Sequence, residues 1–89
     1  MIVRIQGEGQ YDLEGEAIHA LKVADARLFD AVASGAVDAF EREFGAVLRL
    51  VRTRGRRLGP TELVESDLVL PADDTSLEEA RRLFTEHPI

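Results

Sequence analysis

Two glycines, three acids close together in sequence and five clustered arginines are the residues of this chain whose types and spacing could do chemistry. Gly7 and Gly9 follow the run "IVRI" and precede a helical pattern, the frame in which a nucleotide phosphate is cradled. A dinucleotide loop needs G-x-G-x-x-G opening a helix, so that bare backbone can approach the pyrophosphate. Here "GEGQYD" sets Asp12 at the third glycine position, and Glu8 would bring negative charge to the phosphate. No G-K-[ST] follows, and the sequence offers no βαβ frame. The glycines therefore read as backbone geometry in a hairpin or bulge, with no cofactor expected.

Metal and acid–base chemistry fare no better. His19 has no histidine four residues on and reads as a helix-surface residue, and His87 falls near the end of the sequence. Asp67, Asp73 and Asp74 lack the spacing and central glycine of a calcium loop. Asp73, Asp74 and Thr75 read as cap formation before a last helix. Asp67 directly precedes Leu-Val-Leu, where its carboxylate is expected to take free backbone amides or a cation from Arg4 or the arginine cluster. Ser34, Ser66 and Ser76 have no histidine placed to activate them by a recognisable motif. No catalytic, metal or cofactor residue is expected, and the chain reads as non-enzymatic.

The arginines are the strongest surface feature. Arg49, Arg52, Arg54, Arg56 and Arg57 lie within "RLVRTRGRR", whereas from Leu58 onward eight acids face only Arg81 and Arg82. Cations at a helix C-terminus are locally stabilising, but five exceed that need. The expected patch, two arginines on a helix and three in the following loop, suits carboxylates or phosphate groups. These five are the candidate partner-binding residues. Charge reversal at Arg52, Arg56 and Arg57 is expected to weaken partner binding without unfolding the domain.

Composition sets the outer limits. Eighty-nine residues with 45% hydrophobic content suit one domain over residues 1–89, or one half of a tight dimer, so a homo-oligomer stays open. No stretch approaches the ~18 apolar residues of a membrane span. The absence of cysteine removes disulfides and thiolate chemistry, and with no leader pattern a cytoplasmic protein is expected. The net charge of −6 argues against nonspecific nucleic-acid binding.

The elements that position these residues follow from apolar periodicity. Ile2 to Ile5 reads as a strand with Val3 and Ile5 on one face, followed by a short return through Tyr11 and Leu13. Asp12 or Glu14 is expected near the start of a helix from Glu16 to about Ser34. Its stripe is Ile18, Leu21, Ala24 or Asp25, Leu28 and Val32, widened by Phe29. Gly35 is the stop. A second helix runs from about Val37 to Arg54, with Phe40, Phe44, Val47, Leu48 and Val51 on one face and an Asp38–Arg42 pair. The short connection makes an antiparallel hairpin. "TELVESDLVLP" reads as a turn and a short strand ended by Pro71. Thr75 with Glu78 resembles a capping box for a final helix whose apolar face is Leu77, Ala80, Leu83 and Phe84, with a Glu78–Arg82 pair and an end at His87-Pro88. The strand at 2–5 is expected to pair either with residues 67–70 or with 10–13. The expected fold is α+β: a long antiparallel helical hairpin on a short two- or three-stranded β element, with a C-terminal helix.

The opening "MIVRIQGEGQYDL", the central "GAVDAFEREFGAVLRLVRTRG" and the late "LVESDLVLPADDTSLEEARRLF" together resemble the PspA-associated protein family, PspAA, from Met1 to about Glu86. Its members are similar in being encoded beside PspA, the coiled-coil protein of the phage shock response that attaches to the inner face of stressed membranes. The resemblance implies an accessory or adaptor protein that binds or modulates a PspA-like coiled-coil protein in envelope stress, reaching the inner membrane surface indirectly through it. It implies no catalytic residues. The alternative is a small transcriptional regulator binding DNA, suited superficially by two helices with a basic end. The acidic net charge, the helix lengths and a patch at a helix end argue against it.

Overall fold

The computed structural model describes residues 1–62 and 64–86. Strand β1, Ile2–Ile5, sends Val3 and Ile5 into the core at 0% and 1% exposure while Arg4 faces outward. The Glu8 amide donates to the Ile5 carbonyl at 3.0 Å, and Gly7 has φ 79°, the sign a type II turn requires at that position. The chain returns as β2, Gly9–Asp12, antiparallel to β1 with Ile2 opposite Asp12 and Ile5 opposite Gly9.

Helices α1, Glu16–Ser34, and α2, Val37–Arg54, have the bounds that periodicity predicts, and Gly35 ends α1 in the left-handed conformation at φ 73°. Their apolar stripes meet. Leu21, Leu28 and Val32 of α1 join Phe40, Phe44, Val47, Leu48 and Val51 of α2, with the rings of Phe40 and Phe44 stacked 5.3 Å apart. At about 1.5–3 kcal/mol for each large buried side chain, this shared face accounts for the adhesion of the hairpin to itself and to the sheet.

Two further strands complete the sheet: β3, Arg56–Arg57, beside β2, and β4, Leu68–Leu70, beside β1. The order is β3-β2-β1-β4, with β4 parallel to β1 and the other pairs antiparallel. Helix α3, Leu77–Glu86, packs against α1 and α2 and buries Ala80.

Several expectations need correction. The sheet has four strands instead of two or three. The alternatives of pairing 2–5 with 10–13 or with 67–70 are both realised, because β1 is interior and uses its two edges. A parallel pair with helices in the connection does exist, β1 and β4, but Gly7 and Gly9 sit in the β1–β2 hairpin, away from any strand-to-helix junction. Phe29 does not widen the buried stripe and is 54% exposed. At the start of α1 no acid caps the helix: Gly15 holds the cap position, and Asp12 accepts instead from the Met1 amino group at 3.4 Å. Arg42 engages its neighbour Glu43 at 3.4 Å in place of the expected Asp38.

The capping box is also displaced by one residue. Ser76 Oγ accepts from the Glu79 amide at 3.2 Å, and Glu79 Oε1 accepts from the Ser76 amide at 3.4 Å. The Thr75 amide is already committed to the Ala72 carbonyl at 3.0 Å, closing the preceding turn, so the cap falls to Ser76. The side chains of Leu83 and Phe84, and the helix end at His87-Pro88, lie outside the described residues.

Candidate functional site

The last two turns of α2 carry Arg49, Arg52 and Arg54. The chain then passes Gly55 in extended conformation, with φ −88° and ψ 150°, directly into β3. Arg56 and Arg57 are therefore sheet residues opposite Asp12 and Tyr11, and not the loop residues that the sequence suggests. Two successive arginines in an edge strand carry little apolar signal for a strand. Their placement comes from the Leu58 amide, which donates to the Gln10 carbonyl at 2.9 Å and extends the pairing, and from Leu58, buried at 9% exposure.

This geometry divides the five arginines into two kinds. Arg52 is clamped: Nε donates to Glu8 Oε2 at 2.9 Å, Nη2 donates to Glu8 Oε1, and Nη2 also reaches Asp73 Oδ2 at 3.3 Å. The fork geometry of guanidinium and carboxylate makes this the strongest type of ion pair available to these groups. Glu8 accepts as well from the Tyr11 hydroxyl at 2.7 Å, and its backbone carbonyl accepts from Arg57 Nη2 at 2.8 Å. The Arg57 guanidinium lies 5.8 Å from the centre of the Tyr11 ring, within cation–π range. Arg56 pairs with Glu62 at 3.5 Å.

All five are exposed, but the side chains of Arg49 and Arg54, in contrast, make neither a hydrogen bond nor an ion pair among the described residues.

The electrostatics follow the contacts. The Arg52 guanidinium, helped by the Tyr11 hydroxyl, lowers the Glu8 carboxyl to about 2 from the usual 4.5. The same carboxylate pushes the Tyr11 hydroxyl and the Arg52 guanidinium upward. Glu62 is held low by the Gly59 amide and then by Arg56. Glu8, which in the sequence argued only against phosphate binding, is thus the organiser of the basic end. Nothing local signals this, because its partner Arg52 lies on a different element.

Beside the clamp is a groove of about 700 Å³ between α2 and the turn carrying Asp73 to Ser76. Phe44 and Leu48 contribute apolar surface to it, and Glu41, Arg49 and Asp74 are among its charged lining residues. Asp73 therefore serves two roles, as a wall of the groove and as the second acid on Arg52.

The remaining candidates have structural placements. Asp67 accepts from the Ile2 amide at 2.7 Å while its own amide donates to the Ile2 carbonyl, also at 2.7 Å, so it pins β4 to the start of β1 as a binder of backbone amides. His19 is exposed on α1. Among the described residues, no group of three or more metal-ligating side chains comes together, and no helix is long and apolar enough to cross a membrane.

The whole chain, residues 1–89, matches the family model described as PspA-Associated protein, PspAA. The chain belongs to the PspAA family. No curated protein and no solved structure matches it. Membership gives this PspAA chain a non-enzymatic accessory role associated with the PspA-type stress response.

Proposed function

We propose that the chain is an adaptor that binds or modulates a PspA-like coiled-coil membrane-stress protein, using the basic end built from Arg49, Arg52, Arg54, Arg56 and Arg57. The observation that carries this reading is the division of labour among the arginines. Arg52, Arg56 and Arg57 are occupied by Glu8, Asp73 and Glu62, which stiffen the end of α2, while Arg49 and Arg54 project from it uncompensated. Exposed guanidinium groups on a rigid support suit carboxylates of an acidic helical surface. The protein acts in the cytoplasm and reaches the inner face of the membrane only through its partner.

The clamp modifies the obvious experiment. Reversing Arg52 also breaks its bidentate pair with Glu8, which mixes a loss of stability with any loss of binding, so the informative positions are Arg49 and Arg54. The test is titration of the purified chain with the purified PspA protein of the same organism, at several salt concentrations. Saturable binding that weakens with salt, and weakens again in the Arg49→Glu/Arg54→Glu variant, supports the reading. Absence of binding by the unaltered chain refutes it.

A further inference from the structure

The sheet has two edge strands, and they are unlike. β3 is Arg56–Arg57, whose side chains are engaged by Glu62 and by the Glu8 carbonyl, and charged side chains on an edge resist the addition of a further strand. β4 is Leu68–Leu70, with no charge in it. The Gln6 amide donates to the Leu70 carbonyl at 3.0 Å, so Leu70 turns its peptide groups toward β1. Peptide groups alternate in direction along a strand, and the N–H and C=O of Val69 therefore point away from β1, to the side where the sheet ends. The Val69 side chain, beside Arg4 in the register, stands on the face opposite the buried Leu70 and is 49% exposed.

This edge is short. Asp67 is fastened to Ile2 before it, and Pro71, which has no N–H to donate, follows it. An added strand gains few ladder hydrogen bonds here, so the flanks decide which strand binds. The flanks are acidic. Glu65 and Asp67 precede β4, Asp73 and Asp74 follow it, all four are exposed, and no Lys or Arg stands between Leu58 and Ala80. Asp73 is matched by Arg52, whereas Glu65 and Asp74 make no ion pair among the described residues. Arg4 lies on β1, two strand spacings or about 10 Å from the line of a further strand.

We infer that the open edge of β4 receives an extended segment of a partner protein, apolar at its centre and carrying Lys or Arg on both flanks. Its backbone pairs with the Val69 N–H and C=O, an apolar side chain lies beside Val69, and its bases meet Glu65 and Asp67 at one end and Asp74 at the other. A second copy of the chain is the poorer occupant. Two β4 strands paired antiparallel about Val69 would set Glu65 of each copy opposite Asp73 of the other, so like charges would face each other twice. The inference does not rest on the PspA partnership, whose proposed surface adjoins β3 at the other edge of the sheet.

The test titrates the full chain with a capped peptide, Lys-Lys-Val-Thr-Val-Thr-Val-Lys-Lys, and with its counterpart bearing Glu for every Lys, followed by NMR of the backbone amides. The Lys peptide is expected to shift the amides of Leu68–Leu70 saturably and to slow exchange of the Val69 amide at least about tenfold. It should bind at least about tenfold more tightly than the Glu peptide at low salt, a margin that narrows as salt is added. Val69→Pro removes the outward N–H without removing a bond to β1 and should abolish the effect. Glu65→Lys/Asp74→Lys, at exposed positions, should reverse the order of the two peptides, and it decides alone should Val69→Pro fail to fold. No binding of the Lys peptide, saturable shifts that lie elsewhere, or equal affinity for the two peptides overturns the inference. A Val69 amide that becomes protected at high concentration of the unaltered chain without peptide makes a second copy the occupant and overturns it as well.

Discussion

Replacing Glu8 with glutamine isolates the contact that organises the basic end. In the native protein the Glu8 carboxylate accepts from Arg52 in a forked pair, from the Tyr11 hydroxyl at 2.7 Å, and is held at about 2 on the acid scale against 4.5 when free. Glutamine keeps the shape and loses the charge, and its amide group turns a donor toward a donor. Read as free energy without screening, the displacement of the carboxyl would correspond to about 3 kcal/mol. The pair is partly open to water, however, with side chains 24% and 35% exposed, and screening reduces the expected loss to about 1–2 kcal/mol. For a chain of this size that is a fall in the thermal midpoint of about 5–10 °C at neutral pH.

The pH dependence carries the sharper signature. Because the folded value is depressed, the contribution is complete above the unfolded value of 4.5 and disappears as pH falls toward about 2. The difference in midpoint between the native protein and Glu8→Gln, followed by circular dichroism, should therefore be constant near neutrality and close progressively below pH 4.5. Other acids titrate in both proteins and cancel in the difference. Equal midpoints at neutral pH, or a difference that persists undiminished into strong acid, would show that the clamp does not hold the basic end.

Two further predictions concern the elements around it. Gly55→Ala should lower stability by about 1–3 kcal/mol in urea unfolding although its φ of −88° is ordinary, because the added Cβ would lie 2.6 Å from the Val51 carbonyl oxygen and 2.9 Å from both Leu13 and Tyr11; an unchanged midpoint would refute the close approach. Asp25 lies half-buried on α1, where burial raises its carboxyl above 3.8. The penalty of its charge is absent below 3.8 and complete above the raised folded value, so Asp25→Asn should stabilise the fold at neutral pH and lose that advantage in acid. A variant no more stable than the native protein at neutral pH would show that Asp25 is solvated.

What the sequence determined by itself was local. The two long helices follow from apolar residues three and four positions apart, Gly35 from the need for a left-handed residue after α1, and the first strand from alternation at Val3, Arg4 and Ile5. Each signal acts over a few residues, so neighbours in sequence suffice to read it. The resemblance to the PspAA family was likewise carried by short runs of residues, and the arginine cluster was visible as a cluster.

Tertiary structure decided everything that depends on residues far apart in the chain. Edge pairing made β1 interior and turned Arg56 and Arg57 into a strand, because the backbone of β2 offered hydrogen bonds that arginine side chains do not advertise. Folding brought Glu8 to Arg52 across 44 positions and Asp67 to the Ile2 amide across 65, so charges that read as surface features became internal ties. It also left Phe29 outside the stripe and Arg49 facing a groove whose second wall comes from residues 73–76. The separation into tied and untied arginines is thus a property of the packed elements. Charge acts through space, and only the fold sets those distances.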